Sequence, residues 1–281
     1  MSGPSLRPYA TVLVIAGSDS CAGAGIQADL KACAALGAYA LTVITAVTAQ
    51  NTRGVRAVHP VPLDMVAAQV EAVLEDIPVA AVKTGMLADP AVVELVAATL
   101  ERMPGVPVVV DPVMVAQSGD RLVSEAAAAA VRELLLPRAW VLTPNLPEAS
   151  VLLGREVAAG DTRAAQDLRA VGPRFVLLKG GHGTGGACED ILVGPHGVQR
   201  MVAPRLSTPN THGTGCTLAS AIAAGLAQGL DVPEAAARAH GYLQCALTAG
   251  AERSLGQGAG PVDHFCVWED PACRSSSMVG R

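Results

Sequence analysis

Short runs of β-branched and aliphatic residues alternate along this chain with longer Ala/Leu/Glu-rich pieces, and that alternation leaves few folds open. The runs are Thr11-Val-Leu-Val-Ile15, Leu41-Thr-Val-Ile44, Val79-Ala-Ala-Val82, Val106-Pro-Val-Val-Val110, Trp140-Val-Leu142 and Phe175-Val-Leu-Leu178. They are too uniformly apolar for strands with one wet face, so they read as strands buried on both sides. Between them lie Gly25 to Leu36, Leu63 to Leu74, Pro90 to Leu100, Glu125 to Leu136 and Thr162 to Val171, each long enough for a helix. This is the order of βαβ units, which predicts an α/β fold with a mainly parallel sheet. Beyond residue 185 the pattern changes: Ile191 to Val193 and Val198 to Val202 read as a hairpin around Gly194-Pro-His-Gly197. Helices are expected over Gly215 to Gln228 and Pro233 to Ala249. No linker or internal repeat interrupts the chain, so residues 1–281 read as a single domain, with a frayed tail at about 274–281.

Composition narrows the function classes. Aromatic residues are only 2% of the chain, so its core must be built from Ala, Val, Leu and Ile. The net charge of -5 gives no electrostatic footprint for nucleic acid or an anionic membrane. Seven cysteines form no C-x-x-C pair, which signals neither a disulfide framework nor a zinc site. The first apolar run is too short to span a bilayer, and Thr217 to Leu230, interrupted by Ser220 and Gln228, suits a buried helix better than a membrane span. The N-terminal residues lack the layout of a secretory signal, and a cytoplasmic protein is expected.

Each apolar run ends in a polar or Gly-bearing turn, where ligands bind in open parallel sheets. The segment Gly23-Ala-Gly25-Ile-Gln-Ala28 matches a dinucleotide fingerprint, but it stands too far behind the first strand and lacks the acid expected about 20 residues later. No Walker A loop is present. The most informative segment is Asn210-Thr-His-Gly-Thr-Gly-Cys216, a Gly-rich turn running into an apolar helix. Glycines allow the amides of residues 213 to 216 to point inward together, and the helix N-terminus adds about half a positive charge, making an anion hole. Cys216 lies in the first helical turn, where that field favours a thiolate able to act as base or nucleophile. The plain alternative is a small buried Cys.

That segment does not stand alone. Together with residues 16–31, Thr48-Ala-Gln-Asn-Thr52, Lys83-Thr-Gly-Met-Leu87, the block from Asp111-Pro-Val-Met to Asp120, Thr143-Pro-Asn-Leu-Pro-Glu-Ala149 and Lys179-Gly-Gly-His182, it resembles the hydroxymethylpyrimidine/phosphomethylpyrimidine kinases of thiamine biosynthesis. The resemblance runs from residue 11 to about 250. It implies a ribokinase-like fold, a three-layer α/β/α sandwich without a Walker motif. It also implies ATP with Mg²⁺, successive phosphorylation of 4-amino-5-hydroxymethyl-2-methylpyrimidine and its monophosphate, and a homodimer.

The resemblance also assigns residues. Cys216 takes the place of the catalytic base, with Gly213, Thr214 and Gly215 as the oxyanion cradle, and Gly213 and Gly215 are expected to tolerate no Cβ. Gln50, at the end of the second strand, matches the pyrimidine-binding Gln, whose donor and acceptor complement a 4-aminopyrimidine edge. Asp29 maps to a second polar substrate contact, although an Asp in such a helix is ordinarily solvated; Gly17, Ala24, Met86 and Val113 map to pocket walls. Asn145 and Glu148 offer oxygen ligands for Mg²⁺, through water, and equally suit a helix capping box. Lys179 is placed to reach a triphosphate, with Gly180 and Gly181 making room, and Asp111 adds a carboxylate on the metal side. His212 and His182 beside Cys216 lack a fourth ligand for a zinc site, and His59, His196, His240 and His264 read as surface or packing residues.

Cys21 and Ala22 depart from the Ser-Gly-Gly usual in the first loop, and Thr84 stands where Ile is common. The nearest alternative activity is pyridoxal or pyridoxine phosphorylation, alone or beside the first, which Ala116-Gln-Ser-Gly disfavours because that branch tends to carry a Cys there. An alternative of another class is a non-catalytic pyrimidine-binding module.

Overall fold

The computed structural model describes residues 8–114, 123–181, 183, 185–269 and 273. The segment around Ala116, His182 and the tail 274–281 therefore lie outside the described residues. The sheet contains β1 (Thr11–Ala16), β2 (Tyr39–Ile44), β5 (Ala81–Thr84), β6 (Val108–Val110), β7 (Val141–Leu142), β8 (Phe175–Leu178), β9 (Ala187–Gly194) and β10 (Gly197–Pro204). A separate pair, β3 (Ala46–Asn51) and β4 (Gly54–Pro60), completes the strands. The helices are α1 (Gly25–Ala35), α2 (Leu63–Leu74), α3 (Pro90–Glu101), α4 (Glu125–Ala130), α5 (Leu146–Leu153), α6 (Thr162–Ala170), α7 (Thr214–Ala227), α8 (Val232–Ala251) and α9 (Cys266–Glu269). The expected helix from Glu125 to Leu136 breaks into α4, a π-helical turn over Val131–Leu135 and a 3₁₀ turn over Leu136–Arg138, where Pro137 cannot continue the α ladder.

Strand order in the eight-stranded sheet is β10-β9-β8-β7-β6-β5-β1-β2. The strands from β2 to β8 run parallel, and β9 and β10 close one edge antiparallel. All six residues of β1 are buried, as expected for a central parallel strand. Alternation sends Leu13, Ile15, Val82 and Val110 into one apolar layer with residues of α2 to α6. Val12, Val14, Ala81 and Val109 enter the other, against α1, α7 and α8. Burying a Val or Leu side chain contributes about 1.5–3 kcal/mol, and small Ala residues let α7 and α8 pack closely in that second layer. The three-layer α/β/α expectation is met.

One element was not foreseen. Thr48-Ala-Gln-Asn51, read as a turn after the second strand, is most of β3, and Gln50 belongs to the β3–β4 hairpin rather than to the end of β2. The hairpin escapes the hydrophobic pattern because β4 is largely exposed. Its register shifts between Ala49 and Gln50, a β-bulge that re-aims the Gln50 side chain.

Candidate active site

At the carboxyl ends of β5 to β8 the backbone delivers a row of buried charges. Lys83 of β5 faces the α1–α7 layer, where its Nζ donates to Asp29 Oδ1 at 2.7 Å. Asp111 follows β6, and its Oδ1 accepts from Lys179 Nζ at 3.0 Å and from Thr143 Oγ1 at 3.0 Å. Lys179 follows β8 and also lies 3.9 Å from Glu148 Oε2. Burial would push the Asp111 carboxyl up, but Lys179 and Lys83 outweigh it and hold Asp111 below the usual carboxylate range. Burial lifts Glu148 well above that range, with Asp111 reinforcing and Lys179 opposing. Lys83 stays protonated, because Asp29, Cys216 and Asp111 overcome the desolvation that opposes its charge.

Asn145 and Glu148 form the anticipated capping box: Asn145 Oδ1 accepts from Glu148 N, and Glu148 Oε2 accepts from Asn145 N, both at 2.8 Å. The Asn145 amide oxygen is thus already engaged in holding α5. Gly180 also has a packing reason to be glycine, since a Cβ there would come within 2.0 Å of Glu189 O. Gly180 thereby lets β9 approach.

The Gly-rich turn opens α7 as expected. Gly213 is its N-cap with φ 81°, no side chain caps the helix, and Thr214 begins it. A Cβ on Gly213 would lie 1.8 Å from Gly23 O, so position 213 is closed to any other residue. Gly215 differs: its φ is ordinary, and a Cβ would meet Lys179 Nζ at 3.2 Å and Asp111 Oδ2 at 3.8 Å. These distances put Lys179 and Asp111 directly against the first turn of α7. Cys216 is partly exposed, but the thiolate expectation is corrected: burial pushes its thiol up to about 12, Asp29 and Asp111 add to this, and Lys83 opposes. Desolvation and two carboxylates outweigh Lys83 and the hydrogen bond with the Gly25 backbone.

The other wall is formed by the first loop and the hairpin. Gly17 leaves just enough space for Met86, whose Cε would lie 2.5 Å from a Cβ there. Ala24 approaches Gly213, with its N–H on Asp19 Oδ2 at 2.8 Å. Val113 lines a narrow cavity with Thr84, Gly85 and Asp111. Gln50 is half-buried and reaches His212, its Nε2 lying 3.1 Å from the ring Nε2. Asp29 departs from the reading as a substrate contact: it is fully buried, and the same oxygen that holds Lys83 accepts from Ser220 Oγ at 2.7 Å.

Lys83 and Asp19 are functional candidates that sequence reasoning passed over, and His212 was weighed there only as a metal ligand. Lys83 carried a signal, a cation inside a run of fully buried strand residues. Asp19 is 2% exposed and accepts from the amides of Cys21, Gly23 and Ala24, which makes it the organiser of the first loop. Asp19, Cys21 and His212 form a close cluster of potential ligand atoms.

A family model described as phosphomethylpyrimidine kinase matches residues 19–263. The chain belongs to that family. The hydroxymethylpyrimidine/phosphomethylpyrimidine kinase of Rhizobium meliloti is 49% identical over 262 residues, covering 92% of this chain and 98% of the relative. Among solved structures, the phosphomethylpyrimidine kinase of Clostridium difficile is 41% identical with a TM-score of 0.74, covering 83% of this chain and 97% of that one. An ADP complex of Bacillus subtilis pyridoxal kinase is 36% identical with a TM-score of 0.87, covering 94% and 100%. As a phosphomethylpyrimidine kinase family member, this chain is a kinase with a small-molecule acceptor and ATP as donor.

Proposed function

We infer that this protein transfers the γ-phosphoryl group of ATP to the hydroxymethyl group of 4-amino-5-hydroxymethyl-2-methylpyrimidine, and then to the phosphate of the product. The observation that carries this reading is convergence: Asp111, Glu148, Lys179 and Cys216, from four segments of the chain, gather at the uncapped first turn of α7. Phosphoryl transfer runs largely on positioning and charge stabilisation. The amides of residues 213 to 216 and the Lys179 ammonium would face the moving group, while Gln50 on the hairpin holds the flat acceptor. The acceptor hydroxyl must give up a proton as the new O–P bond forms. Cys216 Sγ is the candidate recipient, as a thiolate favoured by Lys83 against the burial that keeps the resting group protonated.

Residues for Mg²⁺ are present in the right chemistry. Asp111 Oδ2 is buried without a hydrogen-bond partner among the described residues, and Glu148 adds a second hard oxygen donor beside it. When bound there, the ion supplies positive charge to phosphate oxygens. Asp111 and Glu148 are the residues that would hold it, with Lys179 neutralising them in its absence.

The pyrimidine is favoured over pyridoxal by the 49% identity to a pyrimidine kinase against 36% to a pyridoxal kinase. Incubating the protein with ATP-Mg²⁺ and either compound, followed by mass spectrometry, tests the reading. Mono- and diphosphorylated pyrimidine are expected; phosphate on pyridoxal alone, or on neither, rejects it. We also propose a homodimer, supported by apolar residues exposed at the hairpin and the start of α2 (Val47, Val58, Leu63 and Met65), with sedimentation as the check. No helix among the described residues is long and apolar enough to cross a membrane, and a cytoplasmic location is proposed from the use of ATP.

A further inference from the structure

Three parts of the chain meet at one ring nitrogen. His212 Nε2 lies 3.0 Å from Asp19 Oδ2 in the first loop and 3.1 Å from the end of the Gln50 amide on the hairpin, and the anion hole begins at the next residue, Gly213. The ring is held there from several sides. His212 N donates to Gly260 O at 3.0 Å, and the two segments pair at Pro261. Asn210, just before it, donates to Gly250 O and Arg253 O at 2.7 Å each. The ring also lies against the backbone of Gly23, where a Cβ would come within 2.2 Å of His212 Cδ2.

Hydrogen-bond roles around that nitrogen are decided by Asp19. Its carboxyl is held below the ordinary value: burial opposes the charge, but His212 and the amides of Ala24 and Cys21 outweigh it. An ionised carboxylate only accepts, so His212 Nε2 must carry the proton directed at Asp19 Oδ2. A Gln50 NH₂ group 3.1 Å from that N–H would set two donors face to face. A half-turn of the amide removes the conflict, letting Oε1 share the Nε2–H with Asp19 Oδ2 and turning the NH₂ towards the cleft; the hydrogen-bond network is what distinguishes the two states.

We propose that His212 is a positioning residue that fixes the Gln50 amide with its oxygen inward, so that Gln50 offers a donor to the cleft and the site selects a flat ring with an accepting nitrogen. This rests on the kinase reading and deepens it. Gln50 does not then read both a donor and an acceptor on the substrate, because His212 has already taken its oxygen. The same ring ties the acceptor-reading hairpin to the loop that leads into the anion hole.

The test uses steady-state kinetics with ATP-Mg²⁺, the hydroxymethylpyrimidine, and its analogue with CH in place of the ring nitrogen facing Gln50. For the wild type, the analogue is expected to show a KM about 10-fold higher. Gln50→Glu keeps an oxygen for His212 but has no NH₂, so the proposal expects the pyrimidine KM to rise about 10-fold, with little preference left for the nitrogen. His212→Leu should also raise KM about 10-fold and erase the preference while kcat stays within about 3-fold. His212→Gln, which can place an N–H near the same point, should recover most of both. Should His212→Leu fail to fold, Gln50→Glu decides alone, since it alters a half-exposed residue. A Gln50→Glu enzyme with wild-type KM and undiminished preference overturns the proposal while the kinase reading stands. Absence of wild-type turnover on the pyrimidine rejects the kinase reading and this inference with it.

Discussion

Lys83 Nζ and Asp29 Oδ1 lie 2.7 Å apart with neither side chain reaching solvent, and Ser220 Oγ donates to the same carboxylate oxygen. The pair joins β5, α1 and α7 beneath Cys216. Breaking such a pair from one side leaves a buried charge, which costs about 3–5 kcal/mol, whereas replacing both partners by apolar groups is far milder. Lys83→Met should therefore lower stability by that amount. Adding Asp29→Leu should recover a large part of it, read as the coupling in a double-mutant cycle by urea denaturation. A loss in the double variant equal to the sum of the two single losses would show that the pair is not a unit.

Cys216→Ala should reduce turnover about 100-fold or more with pyrimidine affinity retained. Because burial holds the thiol up at about 12, the thiolate fraction at neutral pH is smaller than for a free cysteine. Alkylation of Cys216 by iodoacetamide should accordingly be slow at pH 7 and accelerate with rising pH, measured by peptide mass spectrometry. Rapid labelling at neutral pH would contradict the protonated resting state.

The two glycines of the anion hole should respond unequally. Gly213→Ala puts a side chain at φ 81° and against the Gly23 carbonyl, and both phosphoryl transfer and folding yield should collapse. Gly215→Ala meets only the flexible end of Lys179 and the Asp111 oxygen beyond, so a folded protein with weakened ATP use is expected. Thermal melting beside ATP titration separates the two outcomes.

His264 should make the protein sensitive to acid. It is 2% exposed, with its Nε2 2.9 Å from Thr217 Oγ1, and burial, aided by Lys31, lowers it from 6.5 to about 3. The unfolded chain binds this proton near pH 6.5 and the folded one only near 3. Its contribution is therefore complete above about 6.5 and declines as pH falls towards 3, by up to about 1.4 kcal/mol per unit in that window. His264→Gln should flatten this part of the stability profile, followed by denaturation at several pH values.

Much of this protein was legible in one dimension. Central strands such as β1 and β8 are unbroken apolar runs because both faces are covered, and helices such as α2 announce themselves by period and length. The Gly-rich turn before Cys216 and the capping box at Asn145 and Glu148 are local devices, made of neighbours in sequence, so their geometry could be read directly. Contacts between distant segments could not. The β3–β4 hairpin and its bulge, the pairing of Asp29 with Lys83, the protonated state of Cys216 and the meeting of Asp19, Gln50 and His212 depend on groups up to 193 residues apart. Apolar periodicity carries the secondary structure because burial on one face is a local demand, whereas charge state and hydrogen-bond direction answer to whatever the folded chain brings alongside.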